Sequence, residues 1–307
     1  MQRVSRDCIG YTFDRRNKPV LHVQAGETFV VETEDSREGK TRTPETTTPE
    51  FLLAMRKRGY HGNPITGPIY VEGAMPGDTL AVRIDDMDCD DLGYFGHWPF
   101  EHHLQDIVPR PFTGLTDIRD DHVHYEFGFS TGPHSVHLPV SPMIGTIGTA
   151  PEIEIRLSGN TGQHGGNLDS PEICPGSTVY LPVAVPGALL SLGDCHARQG
   201  DGELSGVEMR STVTLAAIAL QGWTKQQKWI RVETPTHLVA IGCDRPVEAA
   251  AQQAIREMLS WLTERHGWTI PEARAFLNLV SDIRPGQIIG GLYTMRLRVA
   301  KQHLPKP

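Results

Sequence analysis

Residues 164–208 read HGGNLDSPEICPGSTVYLPVAVPGALLSLGDCHARQGDGELSGVE, and the rest of the chain is best interpreted outward from them. Acids and histidines sit here among glycines and short apolar runs. Residues 179–185 and 188–192 read as strands, since each is apolar and each follows Pro-Gly punctuation. The second run delivers Gly193-Asp194-Cys195-His196. Strand side chains repeat every second residue, so a strand continuing through this point directs Asp194 and His196 to one face. A carboxylate beside an imidazole at a strand end suits a zinc-type ion. Cys195 then faces the other way and reads as a buried structural thiol, because a Cys/His hydrolase needs its thiol against the imidazole. Downstream, the two glycines of Gln199-Gly200-Asp201-Gly202-Glu203 allow a tight return that brings a second carboxylate within reach. Upstream, Gly165-Gly166-Asn167-Leu168-Asp169 is a similar loop ending in another acid.

The blocks HGGNLD (164–169), GALLSLGDCHARQGDGELSG (187–206) and VETPTHLVAIG (232–242) resemble the acetamidase/formamidase family of small-amide hydrolases. The resemblance extends through NPITGPIYVEGAMPGDTLAVRI (63–84) and SPMIGTIGTAP (141–151), so it covers most of the chain. It implies a β-rich amidohydrolase of two intimately packed lobes, assembled as a homo-oligomer. The aromatic–glycine segment at 93–100 resembles the one this family carries near its active site, and it makes Tyr94, His97, Trp98 and Phe100 candidates for the substrate wall. Residues 97–103 depart from the family pattern, which bears on the substrate more than on the reaction.

The chemistry can also be argued from the residues. An amide carbonyl is a poor electrophile and water a poor nucleophile. A bound divalent metal addresses both, by polarising the carbonyl and by lowering the pKa of its water towards about 7. Asp169, Asp194 and His196 are the ligand candidates, with zinc the expected ion. Glu203 is the candidate base, and His164 is next in line for proton transfer. Asn167 and the amides of the glycine loops are candidates for holding the carbonyl oxygen. Each residue also has a plain structural reading. Asp194 would close a turn, Asp169 would form an Asx-turn, Glu203 would pair with Arg198 or Arg210, and His164 would be an exposed loop residue.

Composition narrows the classes. A chain of 307 residues can bury a substantial core as one large unit or two intimate ones. A formal charge of −8 disfavours nucleic acid and anionic membranes as partners. Five cysteines without CxxC spacing suit free thiols in a reducing compartment. No apolar run approaches the roughly 20 residues of a spanning helix, and the first 17 residues lack a signal-peptide core, so cytoplasmic residence is expected.

Elsewhere, residues 20–23 and 28–33 read as a β-hairpin turning at Gly26, and 68–72 with 79–84 as a similar strand–turn–strand unit. The Thr/Pro-rich segment 34–50 reads as a long surface loop and 51–59 as a short helix. Residues 85–91 hold five acids without EF-hand spacing, and read as a solvated acidic turn. Half of the fourteen histidines fall in 93–137, where His122 and His124 stand at strand spacing. Residues 141–155 read as a turn-rich connection, and 211–221 and 229–234 as strands. Ala251, Ile255, Met258, Leu259 and Leu262 then follow helical spacing, with Asp244 as N-cap and Gly267 as stop. Thr269-Ile270-Pro271-Glu272 is a capping-box pattern opening a second helix, whose buried stripe is Ala273, Phe276, Leu277 and Val280. Residues 292–299 return to strand.

The expected architecture is a β-rich α+β fold: two β lobes of barrel or sandwich type, 1–140 and the metal-site lobe 141–307, with a C-terminal helical pair. The expected function is metal-dependent hydrolysis of a small linear amide to ammonia and a carboxylate. Two alternatives stand beside it: a hydrolase of a cyclic or carbamoyl amide, and a non-catalytic metal- or sugar-binding β-protein.

Overall fold

The structure, a computed structural model, describes residues 1–58, 62–97, 106–222 and 227–305. Nineteen strands join in one continuous hydrogen-bonded network. The fold is β-rich with a C-terminal helical pair, as the sequence predicts.

Two long strands organise it. Thr79–His97 and Gly206–Leu220 run antiparallel along most of their length, from the Glu208–Tyr94 pair to the Leu220–Thr79 pair. Gly206–Leu220 also bonds to Thr28–Thr33 and to Leu190–Gln199. Leu190–Gln199 bonds in turn to Ile65–Val71 and Met143–Gly148, and Thr178–Pro182 bonds to the start of 79–97. The hydrogen-bonded sheet therefore crosses repeatedly between residues before and after 140. Its apolar face is built by Phe29, Val31, Ile69, Leu80, Val82 and Leu215, all fully buried. Each such side chain stabilises the fold by about 1.5–3 kcal/mol relative to exposure.

Among the described residues the α-helices, in chain order, are α1 Pro49–Lys57, α2 Val247–His266 and α3 Ile270–Val280. Helix α2 packs on His237–Asp244 and Tyr293–Ala300 through Ala254, Met258, Trp261 and Leu262. The approach is close at Gly242, where a Cβ would lie 2.2 Å from the Ala250 carbonyl. Helix α2 stops at Gly267, whose φ of +68° suits glycine. The Thr269–Glu272 capping box opens α3 as predicted, and Ala273 and Leu277 are its buried residues.

Several expectations are corrected. Leu21–Val23 and Thr28–Thr33 are strands but not a hairpin. The first runs parallel to 69–71, and the second pairs with 211–216. The strands on either side of Gly77 likewise bond elsewhere, so both turns are corners between strands of different neighbours. The acids at 85–91 lie within the 79–97 strand, not in a turn. Residues 143–148 are a fully buried strand rather than a turn-rich connection. Segment 34–50 is not a surface loop throughout, since Glu34, Asp35, Ser36, Arg37 and Thr41 are buried. The polarity of Glu34, Asp35, Ser36 and Arg37 is met internally, for example by the Arg210–Glu34 ion pair and by Asp35 accepting from the Arg37 and Gly39 amides. The N-cap of α2 is Pro246, while Asp244 accepts from the Arg245 amide and from Gln253. Met258 and Leu262 of α2 are buried as predicted, while Ala250, Ala254 and Trp261 are buried in place of the half-buried Ala251, Ile255 and Leu259, and Glu257 turns inward to Arg231.

Candidate active site

Strand 143–148 brings the pieces together. Thr146 lies opposite Asn167 of Gly165–Asn167 on one side and opposite Gly193 of 190–199 on the other. Asn167 and Asp194 thus meet across one residue, although 27 positions separate them in sequence. Beyond Asn167, the amides of Leu168 and Asp169 both donate to the Gly145 carbonyl, which folds Asp169 back over the strand. Gly145 has no room for a side chain. A Cβ there would lie 2.6 Å from the Asp194 carbonyl and 2.7 Å from Asp169 Oδ1. Antiparallel pairing then places Glu208 opposite His196. The 200–205 loop is held by Gly202, whose amide donates to the Gly286 carbonyl at 3.0 Å and whose carbonyl accepts from Ile288. That anchoring returns Glu203 to the cluster.

The outcome is two overlapping groups of donors that share His196. Ligand-type atoms of Asp169, His196 and Glu203 lie within 4.8 Å of one another, as do those of Asp194, His196 and Glu208. His196 belongs to both groups and is fully buried. Its Nε2 is 3.3 Å from Glu208 Oε1 and 3.7 Å from Asp194 Oδ1. The backbone is strained here. Asn63, Asp169, Asp194 and Glu203 have φ of +41°, +47°, +54° and +49°. Non-glycine residues held in this region cost of order 1–3 kcal/mol each, and such strain gathers at functional sites.

A polar frame holds the acids. Asn63 Nδ2 donates to Asn167 Oδ1 at 2.7 Å and to Asp194 Oδ2 at 2.9 Å. Thr146 donates to Asn167 Oδ1, and Asn167 Nδ2 donates to Asp169 Oδ2 at 2.6 Å. The Asn167 oxygen is therefore occupied by Asn63 and Thr146. His196 Nδ1 meets Gln199 Oε1 at 2.8 Å.

The inward-facing atoms test the fit of a cation. Asp169 Oδ1, Asp194 Oδ1, His196 Nε2, Glu203 Oε2 and Glu208 Oε2 are all buried without a hydrogen-bond partner. An unmet buried polar atom costs about 1–3 kcal/mol, more if charged. Among the described residues, shared protons ease the repulsion between these acids. Burial, then the neighbouring Asp194 charge, pushes Asp169 up to about 8. Burial, then Asp169, holds Glu203 well above the usual carboxylate range. Burial raises Glu208 to about 7. Burial opposes a charge on His196, but Glu208 and Asp194 together outweigh it and hold the imidazolium well above its ordinary range. A divalent cation held by either group would meet the inward atoms of that group, and an oxygen-rich set with one imidazole is a donor set such ions accept.

The cluster opens into a cavity of about 200 Å³, where Asp194, Glu203 and Glu208 are met by Tyr94, Arg37 and Leu204. Tyr94 is buried, its hydroxyl is 2.7 Å from Ser36 Oγ, and the Arg37 guanidinium lies 4.3 Å over its ring. His97 sits at the strand end, its Nε2 2.8 Å from the Arg110 carbonyl and its ring stacked on Phe112. Trp98 and Phe100 lie outside the described residues. His164 lines a separate cavity with Arg156 and Trp229. Burial and Arg156 lower it to about 4, so its imidazole is neutral. Cys195 packs in the apolar core, and burial raises its thiol to about 12.

Sequence reasoning singled out Asp169, Asp194, His196, Glu203 and Asn167, and these do converge. It missed Glu208, Asn63, Gln199, Ser36 and Arg37. Glu208 and Gln199 lie within the opening stretch and Asn63 begins the 63–84 block. Their roles depend on cross-strand register rather than spacing along the chain.

Fold and site define a β-rich protein whose chemistry is concentrated in one buried carboxylate–imidazole cluster beside a small cavity, a hydrolase-type arrangement. Comparison with known proteins gives the family. The profile of the Acetamidase/Formamidase family matches residues 15–162 and 157–280. The chain belongs to that family. It is 36% identical to an acetamidase from Bacillus halodurans, covering 98% of each chain with a TM-score of 0.87. It is 30% identical to an acetamidase from Yersinia enterocolitica, covering 99% of this chain and 93% of that one, with a TM-score of 0.85. It is also 27% identical over 254 residues to a putative formamidase of Schizosaccharomyces pombe, covering 63% of this chain and 59% of that one. The chain spans about half the length of the curated relatives it matches.

Proposed function

We propose that the protein hydrolyses a small linear amide, of the formamide or acetamide kind, to ammonia and a carboxylate with the help of a divalent ion, zinc in first place. The observation that carries this reading is the set of five unmet donor atoms beside a cavity of only about 200 Å³. Family membership supports the substrate class. A purely structural metal site has no use for spare carboxylates facing a cavity, and that weighs against a non-catalytic role.

In this reading Asp169, Asp194 and His196 hold the ion, and Glu203 and Glu208 flank it. When bound, such an ion supplies polarisation of the amide carbonyl and acidification of a water. Asn63, Thr146 and Asn167 keep the Asp169 and Asp194 carboxylates in place. Glu203 takes a proton from the attacking water and passes it to the departing nitrogen. Glu208, also at the cavity wall, is the neighbouring carboxylate for the same task. Tyr94 and Leu204 limit the size of the acyl group.

The test is ammonia release from formamide, acetamide, longer aliphatic amides, a lactam and a carbamoyl compound, with and without chelator, alongside metal analysis of untagged protein. Turnover confined to short linear amides and abolished by chelator is expected. Full turnover in chelated, metal-free protein would remove the ion from the reading.

A further inference from the structure

We infer that Gln199 is a positioning residue that sets the tautomer of His196 and, in the same act, ties the Asp169 loop to it. The inference rests on the metal reading above and assigns the residue that prepares the imidazole for an ion.

Gln199 has three partners. Its Nε2 is 2.9 Å from the Asp169 carbonyl and 3.4 Å from the Gly286 carbonyl. Both are backbone acceptors, so only the NH₂ end of the amide can face them. The oxygen must therefore face His196 Nδ1, at 2.8 Å. An amide oxygen can only accept, so Nδ1 carries the proton. In a neutral imidazole the other nitrogen is then an unprotonated lone pair. That nitrogen, Nε2, is buried, has no hydrogen-bond partner, and points among Asp194 and Glu208. Without a metal, Glu208 and Asp194 keep a proton on that nitrogen; a bound cation would take the proton's place and leave Nδ1–H on Gln199.

The geometry around Gln199 makes this specific. His196 is fully buried, and Gly206 packs so closely on its ring that an added Cβ there would collide with Nδ1. The two ends of one amide thus connect the ligand-bearing 190–199 strand, the Asp169 turn and the 285–288 segment that anchors the Glu203 loop. Removing such an orienting partner typically costs 10–100-fold in metal affinity.

The test uses full-length protein, Zn²⁺ and a chromogenic chelator, with affinity rather than activity as the readout. Gln199→Leu removes both functions and is expected to weaken Zn²⁺ binding about 10–100-fold. Gln199→Glu keeps an acceptor for Nδ1–H and loses the donor to the two carbonyls. It is expected to retain affinity better than Gln199→Leu by at least severalfold. Equal losses in the two variants would assign the effect to the carbonyl clamp and overturn the tautomer role. Long-range ¹H–¹⁵N spectra of the Zn²⁺-loaded wild type provide the arm that needs no variant. They should show His196 protonated at Nδ1, with its Nε2 resonance displaced by the metal. An unprotonated Nδ1 overturns the inference. Absence of Zn²⁺ binding by the wild type strikes the metal reading itself. Wild-type binding lost in His196→Ala but unchanged in Gln199→Leu strikes only Gln199.

Discussion

Gly145→Ala is the most informative single change, because one methyl group would enter the middle of the site from behind. Gly145 is on the buried 143–148 strand, and its φ lies outside the left-handed region, so alanine meets no backbone objection. The objection is space. The added Cβ would lie 2.6 Å from the Asp194 carbonyl, 2.7 Å from Asp169 Oδ1 and 3.0 Å from Asp194 Oδ2. The carbonyl belongs to the 190–199 strand and yields little, so the two carboxylates must move apart. Overpacking of this kind costs about 1–3 kcal/mol, and each kcal/mol lowers Tm by roughly 2–4 °C in domains of 150–250 residues, with a smaller effect expected for a longer chain. Two displaced ligands should lose at least the 10–100-fold in metal affinity that loss of one orienting partner costs. Gly148→Ala is the control. Its Cβ would meet the His164 carbonyl at 2.7 Å and the Gly166 amide at 3.0 Å, a comparable clash against different groups. Both variants should melt earlier, measured by calorimetry, while only Gly145→Ala should lose Zn²⁺ affinity in chelator competition. Wild-type metal affinity in a folded Gly145→Ala, or equal affinity losses in both variants, would refute the reasoning that Gly145 is there for the carboxylates.

Glu203→Gln should keep its metal and lose about 10²–10⁴ in rate if Glu203 carries the proton, whereas Glu208→Gln should show that pattern if the task falls to Glu208; metal analysis beside single-turnover rates separates them. Metal-free protein should lose stability as pH rises. Asp169, raised to about 8, and Glu208, raised to about 7, hold protons in the fold that the unfolded chain has already released, and His196, also raised, loses its contribution as pH climbs through its folded value. The increase in Tm on adding Zn²⁺ should therefore be larger at pH 8 than at pH 5, and a flat or inverted dependence would count against the protonated cluster. Leu204→Ala, a change at an exposed cavity-lining residue, should raise kcat/KM for longer amides relative to acetamide severalfold, and a uniform change across the series would remove Leu204 from the wall. Glu257→Ala removes the 2.6 Å partner of buried Arg231, which keeps Glu264 at 2.8 Å, and should destabilise by about 1–3 kcal/mol in denaturant unfolding, with metal affinity intact.

Much of this protein was legible in the sequence, and the reason is local periodicity. The i, i+2 alternation placed Asp194 with His196 and Cys195 away from them, and the structure has the same arrangement because strand 190–199 continues through all three. The capping box at Thr269 and the stop at Gly267 were equally local, since a helix end is satisfied by residues within one turn of it. Three properties needed the tertiary structure. Glu208 faces His196 only through the register of two antiparallel strands, which no spacing along one strand encodes. Segment 34–50 looks like solvated loop because its residues are polar, yet Glu34, Asp35 and Arg37 are buried where partners from distant strands, such as Arg210 and Thr113, satisfy them. Residues 141–155 read as a turn-rich connection, yet Gly145 and Gly148 sit in a buried strand where other chain segments pass within a side chain's width. Alternation along a strand decides which side chains share a face. Which faces meet is decided by long-range pairing, and the candidate site exists only where they do.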